Sequence, residues 1–484
     1  MRALSKYGPR IAITLLPLIL AILHAVGLMP MGVLQRLDHL AYDARLRSTM
    51  PATLDTRVVI VDIDEKSLAE IGRWPWPRDR MAHLVDTLFD DQRIAVLGFD
   101  TLFAEADNSA GLQQLQQLAK GALADQPGFV QRLETLAPQL DNDAKFARAL
   151  QGRPVVLGYY LSNDGEGRTT GQLPAPVITA AALGGRDTPA TAWDGYGANI
   201  EQLAHAAPKA GFFNSLTDSD GVVRSLPLLA QYQGQLYESL ALAVFRQTLG
   251  NPQVALGLPR PSFLPTDYMA LESVRLRNGN ATVSMAVDDR VAVLVPFRGL
   301  GGPKGGSFNY LSAADLLAGR VAPGSLADKI VLVGTTAPGL LDLRATPVGA
   351  TYPGVETHAN LIAGLLDGQL LSRPDYALGY ELLMLVGAGL VLALGLPLLS
   401  AGRAVVLSLA VVATVVGLNT WLYSAHQLVL PLAATLVMIA LAFALNMSYG
   451  YLFESRSKRQ LARLFGTYVP PALVEEMVKD PGSY

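Results

Sequence analysis

The chain has no cysteine. That excludes disulfides, thiol catalysis and cysteine-ligated zinc. It does not exclude an oxidising compartment, because a large core folds without covalent staples. Charge is the second shortage. Only 16% of the 484 residues are Asp, Glu, Lys or Arg, while 50% are hydrophobic; an ordinary soluble domain carries about 25% charged residues. The net charge of −3 lacks the basic footprint of a nucleic-acid binder, so no nucleic-acid partner is expected. HEXXH is absent, and no serine stands in an elbow or triad context. GLGGPKGGS (299–307) is glycine-rich but lacks the Gly-Lys-Ser/Thr ending of a phosphate loop.

What the chain has in excess is long apolar runs. Four of them have the roughly 20 residues that cross a bilayer core of about 30 Å: 11–30, 377–399, 404–423 and 428–452. Arg2, Lys6 and Arg10 precede the first. Arg403 lies between the second and third. Arg456, Lys458, Arg459 and Arg463 follow the fourth, and 424–427 has no Lys or Arg. The positive-inside rule then gives one topology, with residues 1–10 and 453–484 cytoplasmic and 31–376 outside. The expected location is a bacterial inner membrane, with the bilayer as a partner. The first run lacks a closing small-x-small cleavage site, so it reads as an anchor rather than a cleaved signal peptide. Pro17 should kink it. His24 reads as interfacial rather than as a proton relay.

Residues 31–376 are too long for a loop. The runs 57–64, 95–103, 154–160 and 329–336 are rich in Val and Ile without polar alternation, as parallel strands covered on both faces are. Helical spacing over 79–91 (Met81, Leu84, Val85, Leu88) and 141–150 separates some of them. Residues 104–140 also read as helical, and 162–200 as a surface excursion. Asn278-Gly279 and Gly234 mark two hairpins. The fold class is therefore an α/β domain with a mixed, largely parallel sheet, four transmembrane helices (one before, three after), and a short cytoplasmic helical linker.

Acids collect at strand ends: Asp62, Asp64, Asp100 and Asp342, with Asp218 and Asp220 in LTDSDGVVR. Ligands of open α/β sheets sit beyond the carboxyl ends of strands. Asp62, Asp64, Asp100 and Asp342, with Thr346, Glu356, His358 and Asn360 of TPVGATYPGVETHAN (346–360), are thus the candidate ligand site. A shared cation is one use of the four acids; caps, turns and arginine partners are the other, and no metal ligand is assigned. An outer-face enzyme would use Glu356 and His358 as acid and base. In IGRWPWPRDR (71–80), Trp74-Pro75-Trp76 is read as a rigid entry that packs a strand–helix connection, with Pro77 in the first helical turn. Direct ligand contact by its aromatics and arginines is the competing use.

Six motifs occur in order: YDARLR (42–47), VVIVDIDEKSLAEIGRWPWPR (58–78), LGFDTLF (97–103), DGVVRSLPL (220–228), KIVLVGTTAPGLLDLRATPV (329–348) and PGVETHANLIAGLLDG (353–368). Together they resemble the CHASE sensor domain of the second type, an extracytoplasmic module of bacterial receptors joined to cyclases or kinases. The resemblance implies structural roles for Arg45, Trp74, Trp76, Arg78, Asp220 and Arg224, and an extracytoplasmic ligand it does not name. The tail RLFGTYVPPALVEEMVKDP (463–481) resembles the transducer linker before class III nucleotidyl cyclase domains. That implies an adenylate cyclase whose catalytic domain, using ATP with Mg or Mn, is absent from this chain, which carries no catalytic residue or cofactor of its own. It also implies a homodimer pairing through Leu461, Leu464 and Phe465, with Tyr468, Pro470 and Pro471 shaping the turn to the next helix. Coupling of the sensor to a kinase is the nearest alternative. A transporter or channel is a weaker one, because His24 and Glu381 are almost the only ionisable groups in the apolar runs.

Overall fold

The computed structural model describes residues 2–258, 271–279, 281–337, 339, 342–374 and 376–450. The chain divides into two compact units, Met1–Tyr42 with Asp375–Tyr484, and Asp43–Pro374.

The Asp43–Pro374 unit is built on a mixed sheet whose main strands are β1 (Asp55–Ile63), β2 (Val96–Phe99), β3 (Val155–Ser162), β4 (Gly195–Gly197), β5 (Ala210–Phe212), β6 (Phe308–Ser312) and β7 (Ile330–Thr335). The order β6-β1-β7-β2-β3-β5 is parallel throughout. The last residues of β3 pair antiparallel with β4 instead. The Val/Ile runs form these strands because both sheet faces are covered. On one face Val59, Val61, Ile63, Leu97, Phe99, Leu157, Val331 and Val333 share a core with Trp76, Met81, Leu84, Phe103 and Phe146. On the other, Gly98 and Gly334 admit helices at close range. A Cβ on Gly98 would lie 2.8 Å from Val244 of the helix Leu240–Thr248, and one on Gly334 would lie 2.5 Å from Val355 of the helix Gly354–Asp367.

The four sequence-marked strands are all present; three lie within two residues of the expected ends, and the second, expected over 95–103, stops at Phe99, four residues short. Both hairpins form, Ser273–Asn278 with Ala281–Ala286 and Leu229–Tyr232 with Gln235–Glu238. The 79–91 helix differs: it is α-helical over Arg78–Asp86 and widens to a π-turn over Thr87–Asp91. The 104–140 stretch holds two helices, Leu112–Lys120 and Pro127–Leu140. Pro77 caps its helix from outside rather than occupying the first turn.

In IGRWPWPRDR, Trp76 and Arg78 are buried and make packing contacts. Trp76 is 2% exposed, its indole N–H donates to the Gly72 carbonyl at 2.9 Å, and it meets Trp74 edge-on at 5.5 Å. The Arg78 backbone N–H donates to Asp107 at 2.7 Å. Its guanidinium lies 4.6 Å over the Phe103 ring and 3.7 Å from Asp143. Trp74 is only half-buried. Trp76→Ala is therefore expected to cost about 3–5 kcal/mol, the usual cost of emptying a buried aromatic site, and Trp74→Ala clearly less. Urea unfolding of the purified chain measures both.

In the other unit, three described helices are long and apolar enough to cross a membrane: Gly8–Ala25 within the helix Arg2–Ala25, Ala377–Leu398 and Ala401–His426. The fourth expected span contains a shorter apolar helix, Ala433–Tyr449. Arg403, expected in a loop, lies in the first turn of Ala401–His426. The first helix continues through both Pro9 and Pro17. His24 Nδ1 accepts from the Met31 N–H at 2.9 Å, an end-of-helix role. Some polar groups of this unit pair with one another, which an apolar medium favours. Asn446 donates to Thr14 at 3.0 Å, and Asp38 accepts from the N–H groups of Leu432 and Ala433 at 2.8 Å, at the start of the Ala433–Tyr449 helix.

Candidate functional site

Asp62, Asp64 and Asp100 lie at or just past the carboxyl ends of β1 and β2, and Asp342 directly precedes the short strand Leu343–Thr346; Asp62, Asp64 and Asp342 are already engaged. Asp62 stands between Ser312 and Gly334 in register. Its carboxylate accepts from the Thr336 N–H at 3.0 Å and hydroxyl at 2.5 Å. Burial, more than the nearby Asp64 charge, pushes it up to about 6. Asp64 caps the helix Glu65–Ile71 through the Ser67 N–H at 2.8 Å and also accepts from the Ser312 hydroxyl. Asp342 pairs with Arg344 at 2.7 Å, and its carbonyl accepts from the Gly354 N–H. These separate partnerships favour caps and ties over one shared cation.

Glu356 and His358 do not form an acid–base pair. Two residues apart on the helix Gly354–Asp367, they project to different neighbours. Glu356 is fully buried and accepts from the Gly302 N–H and the Tyr310 hydroxyl, both at 2.6 Å, and from Tyr352 at 2.9 Å. Asn360 extends the knot, donating to Tyr352 at 2.8 Å and accepting from the Arg298 N–H at 2.9 Å. The GLGGPKGGS loop is thereby tied to the helix, and the Gly302 N–H is committed to Glu356 rather than free for a phosphate. Thr346 closes the turn between the short strands Leu343–Thr346 and Gly349–Pro353 through the Gly349 carbonyl.

His358 faces Asp100 at 4.0 Å, with their side chains 3% and 5% exposed. Burial, reinforced by the Asp342 carboxylate, pushes Asp100 up to about 8. Burial, with help from the Arg344 charge, pulls His358 down to about 3. Burial thus favours the uncharged form of both groups, a protonated carboxyl at the end of β2 facing a neutral imidazole of the helix across 4.0 Å.

A CHASE2 domain family model matches residues 17–395. The chain belongs to the CHASE2 domain family. No curated protein and no solved structure matches it. CHASE2 is a sensor domain of signalling receptors, and in this chain the matched region begins inside the first apolar helix and ends at the last residue of the helix Ala377–Gly395.

Two of the CHASE2 landmarks meet at Arg224, which is 1% exposed. Its guanidinium grips Asp43 through two bonds of 2.8 Å, Asp220 at 2.8 and 2.9 Å, and Asp218 at 3.0 Å. YDARLR and DGVVRSLPL are thus joined by one buried ionic knot. Burial works against the charge, but these carboxylates outweigh it and raise the arginine's pKa. Arg45, on the helix Gly32–Thr49, is half-buried, and its carbonyl accepts from the Ser48 and Thr49 hydroxyls. Leu461, Leu464, Phe465, Tyr468, Pro470 and Pro471 lie outside the described residues. Sequence reading missed the buried pair Glu238–Arg246, joined at 2.5 Å, because strand and helix periodicity reveal burial but not the partner.

Arg224→Lys is expected to destabilise the CHASE2 unit by about 3–5 kcal/mol, since a lysine cannot reproduce the fork and leaves buried carboxylates uncompensated. Equilibrium unfolding checks this. The Asp100–His358 pair predicts a pH dependence. Above pH 6.5 an unfolded histidine is neutral too, while the native unit still holds the Asp100 proton up to about 8. The native state then binds more protons, so stability falls as pH rises through this window, by at most about 1.4 kcal/mol per unit. Unfolding of wild type and Asp100→Asn at several pH values should show that slope lost in the variant.

Proposed function

We propose that this chain is the receptor portion of a bacterial membrane-bound adenylate cyclase. Its CHASE2 unit faces the outside of the inner membrane, binds an extracytoplasmic signal, and controls conversion of ATP to cyclic AMP through the membrane helices and the 453–484 linker. The observation that carries the reading is the order of parts: a sensor domain bracketed by apolar helices, then a basic segment whose RLFGTYVPPALVEEMVKDP resembles a cyclase transducer. Both ends of the chain are cytoplasmic in this reading, in keeping with the distribution of Lys and Arg. The chain acts as a homodimer, because the cyclases whose linker it resembles complete their active sites between two subunits. Signalling requires that the ligand bind one of two receptor states more tightly.

A fusion of residues 1–484 to a class III cyclase catalytic domain tests this in cells lacking other cyclases. Cyclic AMP should accumulate, and replacing Leu461, Leu464 and Phe465 together by serine should change output by about fivefold or more, the range of ordinary allosteric couplings. Unchanged output would remove the linker from the mechanism. Regulated output only from a kinase fusion would move the chain to the kinase-coupled receptors.

A further inference from the structure

Away from the strand-end acids, two cavities of about 350 and 190 Å³ adjoin one another, with Pro174, Ala175, Pro208 and Ala210 in the linings of both. The larger is of the volume that small ligands occupy. Each cavity is lined by a residue that carries a buried polar atom with no hydrogen-bond partner among the described residues. In the larger, one Glu238 oxygen is bonded to Arg246 at 2.5 Å, and Oε2 is left without a donor. In the smaller, the fully buried Tyr159 carries a hydroxyl without an acceptor. The two groups are close enough that the Glu238 charge acts on the Tyr159 hydroxyl. Buried polar groups are nearly always satisfied, so an orphan acceptor and an orphan donor at neighbouring cavities call for an explanation. The exposed Lys209 adds a positive charge to the wall of the larger cavity.

We propose that these cavities form a binding site for a small zwitterion carrying both an ammonium and a carboxylate, of the α-amino-acid class. The ammonium donates to Glu238 Oε2; the carboxylate is attracted by Lys209 and accepts from the Tyr159 hydroxyl. Both charges are needed. A simple anion would set a second acceptor against Glu238 Oε2, and a simple cation would face Lys209 and Arg246. Arg246 is occupied on two sides, by Glu238 and by the Pro252 carbonyl at 3.0 Å, so it holds the carboxylate in place. The proposal rests on the sensor reading of this unit, but binding is measured without any output domain. Its failure is therefore distinct from a failure of coupling to a cyclase.

The test is thermal unfolding of the purified full chain in detergent, with the twenty standard amino acids, succinate and putrescine each at millimolar concentration. A ligand that binds only the native state raises Tm. At least one amino acid should do so, with neither succinate nor putrescine active. Lys209→Ala, at an exposed position, and Tyr159→Phe, which removes only an unpartnered hydroxyl, should each leave the ligand-free Tm unchanged and weaken binding about tenfold. A panel without any amino-acid response would overturn the proposal, as would a response to succinate or putrescine alone. So would full binding in both variants, or a fall in ligand-free Tm for Tyr159→Phe, which would make the hydroxyl structural.

Discussion

Arg224 holds together segments that are far apart in the chain. Asp43 lies 181 residues before it, while Asp218 and Asp220 sit on the turn just ahead. Taking these charges out of water is costly, and their attraction repays it only with good geometry and full hydrogen bonding. The fork of the guanidinium supplies that geometry, with five bonds between 2.8 and 3.0 Å to three carboxylates. A competing fold that broke the knot would strand several buried charges. The knot therefore specifies one arrangement of the entry helix end and the strand Val223–Pro227 as much as it stabilises it. The rest of the unit repeats the device on a smaller scale: Glu356 fixes the 299–307 loop, Arg78 fixes the 105–107 turn, and Asp62 fixes the turn after β7.

The sheet was legible in the sequence because its signal is local. A run such as Val58 to Ile63 reports burial on both faces without reference to its partners, and Asn278-Gly279 reports a hairpin from turn geometry alone. The Asp64 cap was legible for the same reason, since its partner is three residues away. The candidate site was legible only as a neighbourhood. Asp62, Asp100, Asp342, Glu356 and His358 do gather at the strand ends, but which of them is free depends on Thr336, Arg344, Tyr310 and Tyr352, and no spacing rule pairs those with the acids. Tyr159 and Glu238 were missed altogether, because a tyrosine within β3 reads as ordinary core and an unsatisfied atom becomes visible only in three dimensions.

This division has a functional logic. The Glu356 carboxylate and the Arg224 guanidinium are held by several hydrogen bonds each. Where groups are left unsatisfied, as at Tyr159 and Glu238, a ligand has something to gain. In chain order the Glu356 helix is the last described helix before the apolar helix Ala377–Gly395.

The central claim is that the CHASE2 unit is displayed outside the membrane by the flanking helices. The lack of cysteine makes this directly measurable, since any introduced cysteine is a unique label. Asn163→Cys, in an exposed loop of the CHASE2 unit, and Ala401→Cys, at the exposed first residue of the helix Ala401–His426, should be treated in spheroplasts with a membrane-impermeant maleimide. The account predicts labelling at 163 in intact spheroplasts and at 401 only after lysis. Labelling at 401 with protection at 163 would contradict it.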